Sequence, residues 1–353
     1  MFFSILIPVY NTSIYLRECM ESILNQSFKE YEVVLLNDGS TDNSGEIWDE
    51  YAKQYSFIRV IHKENEGLMM TRRRGFKEAK GDYFICVDSD DYLYDSCALE
   101  KIHNMIKESK CDLVLYNYMY GAGGGRNERV RRLFDYENGH VFIGNQKIEL
   151  YEKLLTTNSM NNIWIKCPSR NIVDIDTDYS VWKKDICRAE DLFQSYPMLS
   201  NASRVGYVSD SLYFYRWTET SISNKPKYKY CDAFKTIFQR EDEYLERWNV
   251  SAEVKDQAIR RRLTRYMDII VKCYFSAKMA NDVSGWKKFI CSLSEDSFFK
   301  QILDGCNKKK VLKYYRLLYF LFCNRKTTVA IGVIEATSQI SRMKRNMLRK
   351  KAA

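Results

Sequence analysis

Four short apolar runs restrict this chain to very few folds. They cover residues 4–10, 32–36, 58–61 and 83–87, and a stretch of helical periodicity follows each one. After the first run, Tyr15, Leu16, Cys19, Met20, Ile23 and Leu24 recur at helical spacing, with Thr12 or Ser13 as the N-cap. After the second, Ile47, Trp48, Tyr51 and Tyr55 share a face. After the third, the turn Asn65-Glu66-Gly67 leads into a helix over 68–79. Leu99, Ile102, Met105 and Ile106 mark the helix after the fourth, and a fifth run occupies 112–116. A strand buried on both faces reads as a continuous apolar run, and strands alternating with helices form βαβ units. The expected class is therefore α/β with a mainly parallel sheet.

The strand ends carry the chemistry. Three runs stop in polar clusters: Pro8-Val9-Tyr10-Asn11, Asp38-Gly39-Ser40 and Asp88-Ser89-Asp90-Asp91. In an open parallel sheet these ends share one edge, where ligands bind. A tyrosine face can stack on a base, and a carboxylate can accept from an imide or a ribose hydroxyl. Asp88 and Asp90 share one face of an extended backbone. Clustered carboxylates repel one another unless a cation neutralises them, and oxygen ligands suit Mg²⁺ or Mn²⁺. Arg72, Arg73 and Arg74 add positive charge after Gly67. At successive helical positions they point about 100° apart, and Arg72 is the one expected to face the crevice. No G-x-G-x-x-G follows the first strand and no G-x-x-x-x-G-K-[ST] occurs, which argues against dinucleotide and P-loop sites.

Composition excludes other chemistries. Only three histidines are present, so a zinc site or a histidine-based triad is not expected. The eleven cysteines include no C-x-x-C pair, and Cys19, Cys86, Cys111 and Cys273 sit among apolar neighbours as reduced thiols do. Residues 2–9 lack the features of a signal peptide.

These motifs, in this order and spacing, resemble the family 2 glycosyltransferases of GT-A fold. Residues 5–11 resemble the family's opening strand and 37–42 its second motif. Asn65-Glu66-Gly67 followed by Thr71-Arg72-Arg73-Arg74-Gly75 is similar to N-x-G…A-R-N-x-G, and residues 87–91 resemble its D-x-D. Two departures stand out: Thr12-Ser13 occupies the place of an acid, and Arg73 that of an asparagine. Further on, Trp164-Ile165-Lys166 resembles a W-x-K element. Residues 188–193 resemble the G-E-D segment that carries the general base, with Ala189 in place of glycine. Residues 213–216 and Ser221 resemble Y-x-Y-R…S. The resemblance implies a UDP-sugar donor held by Pro8, Tyr10, Asn11, Asp38, Gly67, Arg72, Asp88 and Ser89. It implies Mn²⁺ or Mg²⁺ on Asp88 and Asp90, and Asp191 as the base of an inverting hexosyl transfer to a glycan or lipid-linked glycan. Asp91 is expected to support its loop. Trp164 and Trp182 are expected in the core rather than as sugar platforms. A membrane-docked nucleotide-binding scaffold without activity is the alternative. A sugar-1-phosphate nucleotidyltransferase would need a Gly-rich basic loop after the first strand, and none is present.

The expected organisation is a GT-A domain over 1–225, divided into a nucleotide-binding half (1–117) and an acceptor-binding half (118–225), followed by a helical region over 226–353. Residues 121–132 are expected to be a surface loop, 146–155 a helix, and 204–208 and 212–216 two strands. From Lys308 onward thirteen Lys and Arg face one acid, Glu335, so the tail carries about +12 and the rest about −3. Large apolar residues at 311–322 interleave with these charges. That mixture fits a helix lying on an anionic membrane, and fits nucleic acid poorly. A cytoplasmic location, peripheral on the inner face of the cell membrane, is expected.

Overall fold

The computed structural model describes residues 1–122, 128–176, 179, 189–217 and 230–337. The chain forms two compact units, Met1–Glu219 and Thr220–Ala353.

In the first unit, β1 (Phe3–Val9), β2 (Tyr31–Asp38), β3 (Ile58–Lys63) and β4 (Tyr83–Cys86) form a parallel sheet in the order β3-β2-β1-β4. Every residue of β1 and β2 is buried, as their unbroken apolar runs require. The intervening helices are α1 (Ser13–Leu24), α2 (Ser44–Gln54) and α3 (Leu68–Glu78). Leu6, Val34, Leu36, Phe84 and Cys86 of the sheet pack with Phe76 of α3 in one apolar cluster. Helix α3 lies close to the sheet because residue 75 is glycine. A Cβ there would stand 3.0 Å from a methyl of Leu36.

The sheet opens beside Pro8. Strands β1 and β4 pair as far as Leu6↔Cys86, and the Val87 amide still donates to the Leu6 carbonyl. Peptide groups two residues apart along a strand point to the same side, so the ladder position on that side after Leu6 is Pro8, which has no N–H to offer. The imino acid therefore lies in a central strand without losing a ladder bond. The two strands separate there into the Tyr10 and Asp88 loops, at the point where the strand order reverses.

The fifth run does not join this sheet. It becomes β6 (Leu113–Gly121) in a second, mixed sheet with β5 (Tyr92–Leu93), β7 (Arg129–Arg131), β8 (His140–Ile143), β9 (Lys166–Pro168) and β10 (Arg204–Arg216). Helices α4 (Ala98–Ser109), α5 (Lys147–Thr156) and α6 (Glu190–Asn201) complete the unit. Two sequence expectations change here. The 121–132 loop is narrower, because 129–131 pairs antiparallel with β6. The two strands over 204–216 are one, with register shifts between Val208 and Tyr213 that absorb the polar Ser209-Asp210 break. Residues 123–127, Trp182, Arg188 and Ser221 lie outside the described residues.

The second unit is helical: α7 (Tyr230–Arg247), α8 (Ala252–Met279), α9 (Val283–Glu295), α10 (Ser297–Gly305) and α11 (Arg316–Cys323), then a helix over 327–337. Most of the apolar tail is core of this unit, since Val311, Leu318, Tyr319, Leu321 and Phe322 are buried. Leu312, Leu317 and Phe320 face outward, at 43%, 53% and 56% exposure. Among the described residues no helix is long and apolar enough to cross a membrane.

Candidate active site

The loops after β1, β2 and β4 hold one another. The Asn11 amide donates to Ser40 Oγ (3.1 Å) and the Asn11 side-chain oxygen accepts from the Thr41 amide (2.8 Å). Thr12 Oγ1 donates to Ser89 Oγ (2.8 Å), joining the first loop to the Asp88–Asp91 turn. Thr12 stands at the N-cap of α1 but makes no capping bond; Asp42 instead accepts from the Ser13 amide (3.1 Å). Asn11 has φ +54°, a left-handed conformation that asparagine tolerates, and this turns the chain sharply at the sheet edge. Tyr10 is 47% exposed and its ring is available for stacking.

Asp38 lies at the end of β2 and is buried. It accepts from the amides of Glu66 and Gly67 (2.9 Å each) and pairs with Lys63. Its carboxylate therefore anchors the turn that starts α3, with Gly67 at φ +90°. It does not cap α2; Asn43 occupies that position. Lys63 is a partner that sequence reading missed, because a lysine ending an edge strand gives no signal.

Arg72 projects from α3 into the interior with 1% of its side chain exposed. One terminal nitrogen donates to Asp88 Oδ1 (2.6 Å) and the other to Asp191 Oδ1. As expected for Arg72, the guanidinium faces the crevice, and two carboxylates, from β4's end and from α6, neutralise it there. Of its neighbours, Arg74 is exposed and pairs with Glu78 (2.8 Å), whereas Arg73 is buried, with its guanidinium 4.2 Å from the Tyr179 ring centroid.

Three acids follow β4 in different settings. Burial raises the Asp88 carboxyl, with Arg72 opposing and Asp191 reinforcing. Asp90 is pushed up to about 6 by burial and by Asp88, and it has no ion-pair partner within 4 Å among the described residues. Asp91 is buried; Tyr213 Oη donates to it (2.7 Å), as does the Arg216 amide (2.8 Å). Asp91 therefore braces the turn, and the Asp88 amide in turn donates to Tyr213 Oη (3.1 Å). The turn enters from one sheet and leaves through β5, which pairs with β10 in the other.

Asp191 lies in the first turn of α6. Its second oxygen accepts from the Ile163 amide (3.3 Å), and Ser195 Oγ donates to its carbonyl (2.7 Å). Lys166 donates to the carbonyls of Met160 and Asn162 (2.6 Å each), fixing the segment that presents Ile163. Burial pulls the Lys166 ammonium down to about 7, with Asp191 opposing. Beside Asp191, Glu190 is pushed up to about 7 by burial and by the Asp191 charge. Ala189 adopts φ +61°, which explains why a glycine suits this position. Trp164 is core as expected, 3% exposed and stacked on Tyr213 with centroids 4.4 Å apart.

Comparison with known proteins identifies the family and the fold. The family model "Glycosyl transferase family 2" matches residues 4–175. The glycosyltransferase GlyG of Streptococcus pneumoniae serotype 4 is 31% identical over 222 residues, 62% of this chain and 72% of GlyG. EpsJ of Bacillus subtilis, an uncharacterized glycosyltransferase, is 30% identical over 226 residues, 63% of each chain. Residues 1–349 of S. aureus TarS, crystallised with UDP, superpose with a TM-score of 0.66 at 22% identity, covering 96% of this chain and 92% of that one, so the fold is the same GT-A fold. The chain belongs to the family 2 glycosyltransferases.

Proposed function

We propose that the chain moves a sugar from a UDP-linked donor to a glycan or lipid-linked glycan in surface-polysaccharide synthesis. The anomeric carbon would invert in a single displacement assisted by Mn²⁺ or Mg²⁺. The observation that carries this reading is the shared guanidinium of Arg72. It draws together an acid from the donor-side strand end, Asp88, and an acid at a helix start, Asp191, which lies 119 residues beyond Arg72 in the chain.

In this reading Tyr10 stacks on the uracil and Asp38 accepts from its imide. Pro8, Asn11, Gly67 and Ser89 shape the donor cradle. The charge balance argues for a divalent ion. Asp88, Asp90, Glu190 and Asp191 surround one arginine, and a diphosphate entering alone would be repelled. Among the described residues no three acids, cysteines or histidines form a cage. Two carboxylates are available, however: Asp90, and the oxygen of Asp88 not used by Arg72. Such an ion is commonly held by one or two carboxylates, substrate phosphates and water. When bound, it would neutralise the departing diphosphate. Asp191 takes the proton from the acceptor hydroxyl on the opposite face, oriented by Arg72 and the Ile163 amide. TarS has also been crystallised with UDP-GlcNAc, which makes UDP the nucleotide to test first.

The membrane reading is kept in narrower form. Leu312, Leu317 and Phe320 would enter the interface, with Lys309, Lys310, Lys313 and Arg316 on anionic headgroups. The test of the catalytic reading is direct. Asp90→Ala and Asp191→Asn should each abolish sugar transfer from UDP-sugars while circular dichroism stays native, and calorimetry should show UDP binding that depends on Mn²⁺. Full activity in either variant removes its assigned role. UDP binding without sugar transfer to any acceptor would favour the non-catalytic nucleotide-binding scaffold.

A further inference from the structure

One face of the second sheet carries a grid of rings and cations that the reaction above does not use. Register places Tyr213 beside Tyr118, and Tyr118 opposite Arg131. One step along, Tyr215 lies beside Tyr120, and Tyr120 opposite Arg129. Residues paired directly across strands share a face. Trp164 lies along the same face, parallel to the Tyr213 and Tyr215 rings (11° and 8°) and edge-on to Tyr118 at 4.7 Å. Exposure is graded across this grid. Tyr213 is fully buried, Tyr118, Tyr120 and Tyr215 are partly exposed, and Arg129 and Arg131 are open. At the buried end Tyr213 touches both the Asp88 amide and Asp91, and the residue before Trp164 donates to Asp191. The grid thus runs outward from the two loops that hold the reacting groups.

We propose that this face is the acceptor subsite and that its ligand is an acidic carbohydrate. Partly exposed tyrosine rings, backed by a stacked tryptophan, offer flat apolar area to the C–H face of a sugar ring at low entropy cost. The arginines at the open end recognise carboxylate or phosphate groups through paired N–H donors. Arg131 lies close enough for its charge to oppose the burial that raises the Tyr118 phenol. The nearest acid on this hairpin, Glu128, alternates to the other side and acts on Tyr92. A neutral glycan would gain from the rings alone, and an acidic one from both.

This inference rests on the glycosyltransferase reading, and its test is separable from it. Hexagalacturonate and maltohexaose are titrated calorimetrically into the full chain, while thermal stabilisation by UDP with Mn²⁺ reports the donor site independently. The acidic oligosaccharide should bind about fivefold or more tighter than the neutral one, and Arg131→Gln should remove that preference. Tyr120→Ala should weaken both by about tenfold, and Tyr120→Phe, which keeps the ring, should bind as the parent does. Equal binding of the two oligosaccharides, no binding of either, or unchanged binding in Tyr120→Ala overturns the subsite. Loss of UDP stabilisation with these preferences intact would instead count against the donor reading.

Discussion

Arg72, which is buried, and Asp191, which is partly buried and 119 positions away, form an ion pair whose second guanidinium nitrogen holds Asp88. Removing one member of a buried pair leaves a charge without compensation, and here two carboxylates would lose theirs. Arg72→Met should therefore destabilise the fold by about 3–5 kcal/mol. Adding Asp191→Asn should restore part of that loss, because one orphaned charge disappears. Denaturant melts of the two single variants and the double variant measure the coupling; strictly additive effects would contradict the shared clamp. Arg72→Lys keeps the charge but cannot span both carboxylates, and should lower kcat by roughly 100-fold through the misplaced base.

Asp38 has a structural task visible in the structure and a base-binding task proposed for it. The two separate by substitution. Asp38→Asn retains one acceptor oxygen for the amides of Glu66 and Gly67 but replaces the other with a donor and unpairs Lys63. The expected stability loss is about 1–3 kcal/mol. If the carboxylate also accepts from uracil, UDP affinity in the folded variant should fall by about tenfold or more. Calorimetry at a temperature well below the melt distinguishes the cases, and unchanged UDP affinity leaves Asp38 with the turn alone.

Glu190 predicts a pH dependence of defined sign. Its folded-state carboxyl is raised to about 7, chiefly by burial and then by Asp191. Between its ordinary value and about 7 the folded state holds the proton more tightly than the unfolded chain, so its stabilising contribution fades as pH rises through that window. Glu190→Gln stays neutral throughout. The Tm of the variant minus that of the parent should grow by several degrees between pH 5 and pH 8. A difference that stays flat or shrinks would refute the raised carboxyl.

Much of this was legible in the sequence, and the parts that were not share a cause. Strands β1, β2 and β4 announce themselves because burial on both faces leaves a nearly unbroken apolar run, whereas the edge strand β3 is only partly buried and shows as a shorter one; the acids at the ends of β2 and β4 follow from where such runs stop. Asp91 as a brace was readable from the pleat. What sequence could not show was pairing between distant segments. The union of Arg72 with Asp191, the Lys63–Asp38 pair and the register that aligns Tyr118 with Arg131 all depend on which elements become neighbours. Arginine in a T-R-R-R-G run looks like free positive charge until the acids that neutralise it are placed. The strand over 129–131 was hidden for a related reason: its exposed Arg-Val-Arg has no apolar face, and only pairing with β6 makes it a strand.

Ala189 occupies the left-handed region immediately before the first turn of α6, with φ +61°. An L-residue there costs about 1–2 kcal/mol that glycine avoids. Ala189→Gly should raise Tm by about 2–4 °C, with the greater chain entropy of glycine offsetting part of the gain. Activity should be retained, because the backbone carrying Asp191 keeps its course. A lower Tm would mean that the Ala189 methyl makes contacts worth more than the strain.

The C-terminal unit makes its own prediction. Leu317 and Phe320 project from α11 next to Lys313 and Arg316, while Leu318, Tyr319, Leu321 and Phe322 form the opposite, buried side of the same helix. Substituting the outward pair removes apolar area without touching the core. Leu317→Ser with Phe320→Ser should therefore leave Tm within about 2 °C and weaken binding to vesicles containing phosphatidylserine by tenfold or more, roughly 1.4 kcal/mol. Basic residues alone would give binding that collapses with salt, whereas inserted side chains leave a component that persists beyond the screening range of about 8 Å at physiological ionic strength. Sedimentation with phosphatidylserine vesicles at low and high salt separates the two. Unchanged binding in the double variant would remove α11 from the membrane.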